Sequence, residues 1–183
     1  MIMTNLIERA KKFALNAHKD QMHGSVPISV HLEAVSTKAS DEAPKYFDPQ
    51  YNERKVENII AAAWLHDTIE DTSVTAFDLY HEFGIDVSNI VVGVTDSSGK
   101  NRMERHLNTY YRTRRDERAV FVKMCDRWHN HKRSTERAER FMEMYHREYL
   151  YFKFALYEPG MFDDFWNQLD EQYETMDKII KAR

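Results

Sequence analysis

Four titratable side chains fall within six positions at the end of an apolar run, Ala61-Ala-Ala-Trp-Leu-His66-Asp67-Thr-Ile-Glu70-Asp71-Thr72. A hydrophobic helix that acquires such groups must leave the core or give them partners, because unpaired buried charge costs several kcal/mol. A metal ion is one such partner. With helical spacing, His66 lies four residues before Glu70 and Asp67 four before Asp71, so the pairs stack one turn apart on a shared face. An adjacent His and Asp can ligate one cation while a Glu/Asp pair addresses a bound water. Taken alone, His66-Asp67 favours a salt-bridged helix end.

Two distant residues change that balance. His31 lies in an otherwise apolar segment upstream, and Asp126 ends an apolar helical run in Val120-Phe-Val-Lys-Met-Cys-Asp126-Arg-Trp-His-Asn130. His31, His66, Asp67 and Asp126 together make a set of mixed imidazole and carboxylate ligands, suited to Mn²⁺, Fe²⁺, Zn²⁺ or Mg²⁺, with positions left for water or substrate.

With these residues in view, the chain resembles the HD superfamily of metal-dependent phosphohydrolases, and more closely the hydrolase domain of RelA/SpoT proteins and their small stand-alone relatives. The matching segments are Ala17-His18-Lys-Asp-Gln21, Pro27-Ile-Ser-Val-His31, Ala62 to Thr72, Phe83-Gly84, Val92-Gly-Val-Thr95 and Val122-Lys-Met-Cys-Asp126-Arg-Trp-His-Asn130. They follow the family order over roughly residues 5–135. The resemblance implies an all-α helical bundle that removes the 3′-pyrophosphate from guanosine tetra- and pentaphosphate, usually with Mn²⁺. It implies His31, His66, Asp67 and Asp126 as metal ligands, Glu70 and Asp71 as the pair that orients or activates water, and Asn130 as a substrate contact near the metal. The chemistry agrees: a cation lowers the pKa of its water and neutralises phosphoryl charge, and a nearby carboxylate accepts the proton.

One segment departs from the family. Where relatives carry a basic Gln-x-Arg-(Lys)-x-Gly-x-Pro-Tyr stretch, this chain has Gln21-Met-His23-Gly24-Ser-Val-Pro27-Ile28. His23 stands in place of Arg and Ile28 in place of Tyr. Imidazole offers no two-pronged guanidinium contact, so phosphate or base recognition must differ. Leu32 replaces the proline that normally follows the metal histidine, and Ser40 to Asn52 reads as an inserted loop. Lys19, Lys123 and Arg127 are further candidates for phosphate contact, though charged positions on a solvated helix face are the more frequent meaning. His18, His129 and His131 read as supporting groups or as ordinary hydrogen-bonded histidines.

The elements that must position these residues read as helices. Leu6, Ala10, Phe13, Ala14 and Ala17 recur at helical spacing, and Gly24 and Pro27 interrupt before a second helix near Ser29 that carries His31. Helix resumes near Glu53 and runs through the apolar 59–65 stretch. Thr75 and Asp78 form a capping-box pattern, Gly84 a stop, and the β-branched 87–94 run a further helix. Asp116 to Arg133, Arg137 to Tyr157 and a segment from about Asp163 complete the expectation of one all-α domain over 1–183, with C-terminal helices in 136–183.

The chain's 183 residues carry a net charge of −4, unevenly spread: residues 1–99 hold 8 Lys and Arg against 15 Asp and Glu, residues 100–140 hold 13 against 6, and 141–183 hold 5 against 9. A basic centre between acidic flanks suits a small polyanion more than a long nucleic acid, so the expected partner is a nucleotide, with neither nucleic acid nor membrane. The single Cys125 excludes an internal disulfide and a cysteine-based zinc site, and no run reaches the roughly 18 apolar residues of a membrane helix, which points to the cytoplasm. The rival readings are the same chemistry on another nucleotide or phosphorylated cofactor, such as a nucleoside monophosphate or NADPH, and a helical module that senses nucleotide without cleaving it. Oligomeric state is not legible from the sequence.

Overall fold

Apolar side chains at helical spacing bury one stripe of nearly every segment, and helices result. The structure, a computed structural model, describes residues 6–137 and 141–183. Its elements are α1 (Leu6–Ala17), β1 (Met22–His23), β2 (Val26–Pro27), α2 (Ile28–Tyr46), α3 (Pro49–Leu65), α4 (Thr68–Asp71), α5 (Ala76–Phe83), α6 (Ile85–Val94), α7 (Arg102–Thr113), α8 (Glu117–Glu136), α9 (Met142–Leu156) and α10 (Asp163–Lys181). The chain falls into two compact units, one ending at Cys125 and one beginning at Asp126.

In the first unit α3 is the centre, packed by α1, α2 and α6. Ile59, Ala61, Ala62, Ala63 and Leu65 are fully buried, and the three alanines let neighbouring helices approach closely. The same demand for close approach explains the glycine of Val92-Gly-Val-Thr95: a Cβ at Gly93 would stand 2.8 Å from the Cβ of Ala119. Thr75 and Asp78 form the expected capping box, with Asp78 Oδ2 accepting from the Thr75 N–H at 2.8 Å. The 87–94 run is helical, as expected.

Three features differ from the sequence expectation. The segment 40–52 is no loop: α2 continues through Pro44 to Tyr46, and α3 starts two residues later with Asp48 capping it at 2.8 Å from Gln50 N. Burial outweighs the helix-breaking residue there. Ala39 and Ala43 are fully buried, Phe47 packs edge-on against Phe121 at 5.4 Å, and the buried Glu42 is held by Lys38 at 3.0 Å and Lys45 at 2.9 Å. Next, Gly24, at φ +62°, lets the chain reverse between β1 and β2 as a two-residue hairpin, the one small sheet among the described residues. Finally, α7 occupies a stretch read only as basic, capped by Asn101 accepting from Glu104 N at 2.9 Å.

The second unit is built on aromatic packing. Phe152, Phe165, Trp166, Leu169 and Met176 are buried, with Phe152 and Trp166 at 5.5 Å. The expected helix from Arg137 is seen as α9 from Met142; residues 138–140 of that expectation lie outside the described residues. The helix expected from Asp163 is α10. No helix among the described residues is long and apolar enough to cross a membrane.

Candidate metal centre

The helix expected to run through His66 and Asp71 is broken. α3 ends at Leu65, His66 and Asp67 form a turn, and the four-residue α4 follows. The break is stabilised by side chains that satisfy carbonyls a further turn of helix would otherwise have used. His66 Nδ1 donates to the Ala63 carbonyl at 2.8 Å, and the Thr68 hydroxyl donates to the Leu65 carbonyl at 2.6 Å. On a continuous helix adjacent side chains diverge by about 100°. His66 and Asp67 keep near-helical backbone angles (φ −57°, ψ −34° and φ −93°, ψ −5°), and their side chains nonetheless come together.

They converge on His31. Its Nε2 lies 3.1 Å from His66 Nε2, while Asp67 Oδ1 is 3.2 Å from His66 Nε2 and Oδ2 is 3.5 Å from His31 Nε2. Both imidazoles are buried, and ligating atoms of the three residues lie within 4.8 Å of one another. A carbonyl only accepts, so the Ala63 contact places the His66 proton on Nδ1, and in the neutral ring Nε2 carries the lone pair. That nitrogen faces His31 Nε2 and an Asp67 oxygen, so a proton or cation shared among the three satisfies all of them at once. Two imidazoles and one carboxylate are a donor set suited to borderline divalent cations. Burial alone would raise the Asp67 carboxyl, but His66 and His31 more than reverse this and hold it well below the usual carboxylate range.

The next two acidic groups are shifted the other way. Burial pushes the Glu70 carboxyl up to about 7; Lys123 pulls against this, and Asp96 and Asp67 add to it. Glu70 is an exposed residue whose Oε1 accepts the backbone N–H of Asp96. Asp71 is raised by burial and by Asp67, against His18, His66 and His31. The structure thus sets a raised acid pair next to a depressed, half-buried carboxylate, the pattern that separates proton acceptors from ligands.

Other residues singled out in the sequence are placed as follows. His23, on β1, stacks on His31 with ring centroids 4.5 Å apart and planes 9° from parallel, while Ile28 is buried at the start of α2. Lys19 is exposed in the turn after α1. Lys123 Nζ donates to the Val94 carbonyl at 2.8 Å and lies 3.6 Å from Asp96. In the second unit Asn130 donates to Asp126 Oδ1 at 2.6 Å, and the buried Arg127 meets Glu148 at 3.4 Å with its guanidinium over Phe152. Sequence reasoning missed Asp96, whose N–H reaches Glu70; its position directly after Val92-Gly-Val-Thr95 was the available signal. The 95–97 loop is held by Arg112 donating to the Thr95 carbonyl and by Thr109 Oγ1 accepting from Ser97 N at 2.8 Å.

Comparison with known proteins agrees with this geometry. A guanosine-3′,5′-bis(diphosphate) 3′-pyrophosphohydrolase MESH1 from Danio rerio is 30% identical over 131 residues, covering 69% of this chain and 68% of that protein. The Xenopus tropicalis MESH1 is 40% identical over 73 residues, covering 39% of this chain and 41% of that protein, so the match spans under half of the frog relative. A probable guanosine-3′,5′-bis(diphosphate) 3′-pyrophosphohydrolase of Synechocystis sp. is 30% identical over 133 residues, which is 68% of this chain and 16% of that protein. A solved structure of a metazoan orthologue of SpoT that hydrolyses ppGpp matches with TM-score 0.75 at 24% identity, over 95% of this chain and 97% of that one, and shares the fold. The model of a family described as HD domain matches residues 10–152. A match that runs from well before His31 to beyond Asp126 makes this chain a member of the HD domain family.

Proposed function

We propose that the chain is a metal-dependent phosphohydrolase that cleaves the 3′-diphosphate from guanosine 3′,5′-bis(diphosphate), releasing guanosine 5′-diphosphate and diphosphate. The observation that carries the reading is the convergence of His31, His66 and Asp67 beside the raised acid pair Glu70 and Asp71. The names of the MESH1 relatives support the substrate. A divalent cation, with Mn²⁺ favoured over Fe²⁺, Zn²⁺ or Mg²⁺ by the family resemblance, supplies charge neutralisation and an acidified water when bound. His31, His66 and Asp67 hold it, with Asp126 as a further carboxylate on the strength of the KMCDRWHN motif. Glu70 takes the proton of the attacking water, and Asp71 orients that water. His23, Lys19, Lys123, Arg127 and Asn130 are read as the substrate's contacts. The reading places the enzyme in the cytoplasm, consistent with a single buried cysteine.

A second substrate is favoured by one observation: His23, in place of the family arginine, lies flat against His31. That change of recognition group supports a different nucleotide or phosphorylated cofactor as the alternative substrate. Purified protein loaded with Mn²⁺ is assayed by product chromatography against guanosine tetraphosphate, nucleoside monophosphates, cyclic nucleotides and NADPH. Release of diphosphate from the tetraphosphate is the expected result. Turnover of another compound alone would replace the substrate, and tight nucleotide binding without any turnover would replace the enzyme by a sensor.

A further inference from the structure

Gln21 lies between α1 and the hairpin and joins three parts of the first unit. Its backbone N–H donates to the His18 carbonyl at 3.0 Å, and its carbonyl accepts from Ile28 N, the first residue of α2, at 3.1 Å. Its side-chain oxygen faces His18 Nδ1 at 2.8 Å, and its side-chain nitrogen donates to the Asp71 carbonyl at 2.7 Å, fifty positions away in sequence. The direction of this chain of contacts follows from chemistry. The Asp71 carbonyl only accepts, so the amide nitrogen faces it, the amide oxygen faces His18, and His18 carries its proton on Nδ1. His18 is 2% exposed, and its Nε2 has no hydrogen-bond partner among the described residues, so Gln21 is the polar contact that orients the ring.

The far end of this chain is α4, whose four residues make one turn. A single turn does not hold its own orientation, because nucleating it fixes more dihedrals than its few hydrogen bonds offset. Its backbone bonds are Asp71 N to the Asp67 carbonyl at 2.9 Å and Thr72 N to the Thr68 carbonyl at 3.2 Å. Something outside the turn must set where Glu70 and Asp71 point. At the Glu70 side that role falls to the Asp96 N–H. At the Asp71 side the contact is Gln21, on the same backbone stretch that leads through Ile28 into the helix bearing His31.

We infer that Gln21 is a positioning residue: its side-chain amide docks the end of α4 onto His18 and so sets the Asp71 carboxylate against the His31, His66 and Asp67 cluster. The inference rests on the role proposed for Asp71 above. Gln21→Met keeps the side chain's length and removes both contacts; Gln21→Glu keeps the acceptor for His18 but sets a carboxylate against the Asp71 carbonyl. In Mn²⁺-loaded protein turning over guanosine tetraphosphate, both variants lower kcat by about 10- to 100-fold, the usual range for outer-layer partners of a metal site. KM and metal content stay as in the unaltered protein. The Gln21→Met, Asp71→Asn double variant falls no further than Asp71→Asn alone, which a merely structural role would not produce. Additive losses, or an unchanged kcat in Gln21→Met, overturn the inference.

A measurement independent of turnover keeps the two proposals apart. Imidazole ¹⁵N spectra show His18 as the Nδ1–H tautomer in the unaltered protein and in Gln21→Glu, with the signature lost in Gln21→Met. A crystal structure of Gln21→Met shows the Asp71 carboxylate displaced while His31, His66 and Asp67 keep their places. Failure of the unaltered protein to cleave guanosine tetraphosphate defeats the proposed substrate only. An Nε2–H tautomer of His18, or an unmoved Asp71, defeats the positioning role.

Discussion

In the first unit His66 Nε2 meets His31 Nε2 at 3.1 Å and an Asp67 oxygen at 3.2 Å, whereas in the second the Tyr149 hydroxyl donates to Asp170 at 2.6 Å and Lys153 closes on the other oxygen at 2.6 Å. Both regions carry histidines and carboxylates among apolar side chains, so residue types alone do not separate them. The pairing does. Both Asp170 oxygens have a donor, and burial together with Asp170 keeps the phenol protonated by pushing its pKa above the ordinary tyrosine value. Around His66 three ligating atoms crowd together instead: His31 Nε2 at 3.1 Å and Asp67 Oδ1 at 3.2 Å from His66 Nε2. Satisfied polar clusters stabilise a core; clusters short of a positive charge ask for one from outside.

The largest expected effect tests the first half of that contrast. Asp67→Asn removes the bound divalent metal, measured by elemental analysis, and lowers phosphohydrolysis by at least about 10⁴-fold, the scale seen when one member of a concerted catalytic set is lost. The converse is expected at Arg127→Met. Breaking its buried pair with Glu148 costs about 3–5 kcal/mol in denaturant titration while metal content is kept. A rise in KM beside the lost stability would support the phosphate contact proposed for Arg127.

Two pH experiments sharpen the comparison further. A Glu70 carboxyl raised to about 7 is protonated below that pH and cannot accept a proton, so kcat rises with pH through about 7 and then levels. In Glu70→Gln that limb disappears and the plateau drops by roughly 10²-fold. The smaller effect is at His131, fully buried, with neither ring nitrogen hydrogen-bonded among the described residues. Burial, then Arg127, holds its pKa well below the usual 6.5. A depressed histidine means the unfolded chain binds the extra proton. Stability is therefore complete above about pH 6.5 and declines as pH falls below it, by at most about 1.4 kcal/mol per pH unit. His131→Leu flattens that slope in pH-dependent thermal melts, and an unchanged slope would assign the acid sensitivity elsewhere.

Much of this was readable from residue order because helices and metal ligands obey local rules. The apolar residues that predict α1, α3 and α6, the Thr75–Asp78 cap, and the grouping of His31 with His66 and Asp67 all rest on residue type and interval. What escaped rested on tertiary contact. Pro44 reads as a breaker until Ala39, Ala43 and Phe47 are seen buried around it. The stop at Leu65 has no glycine or proline to announce it; it depends on His66 and Thr68 turning back on their own helix. No local interval announces that the Lys123 ammonium reaches the Val94 carbonyl, a partner 29 residues earlier.

That backward turn of His66 decides when an entropic cost falls. Freezing a side chain's rotamers costs up to about 1–2 kcal/mol, and for this ring the loss is incurred as the polypeptide folds, when Nδ1 locks onto Ala63. An arriving cation meets a nitrogen already aimed, and capture requires no search among imidazole orientations.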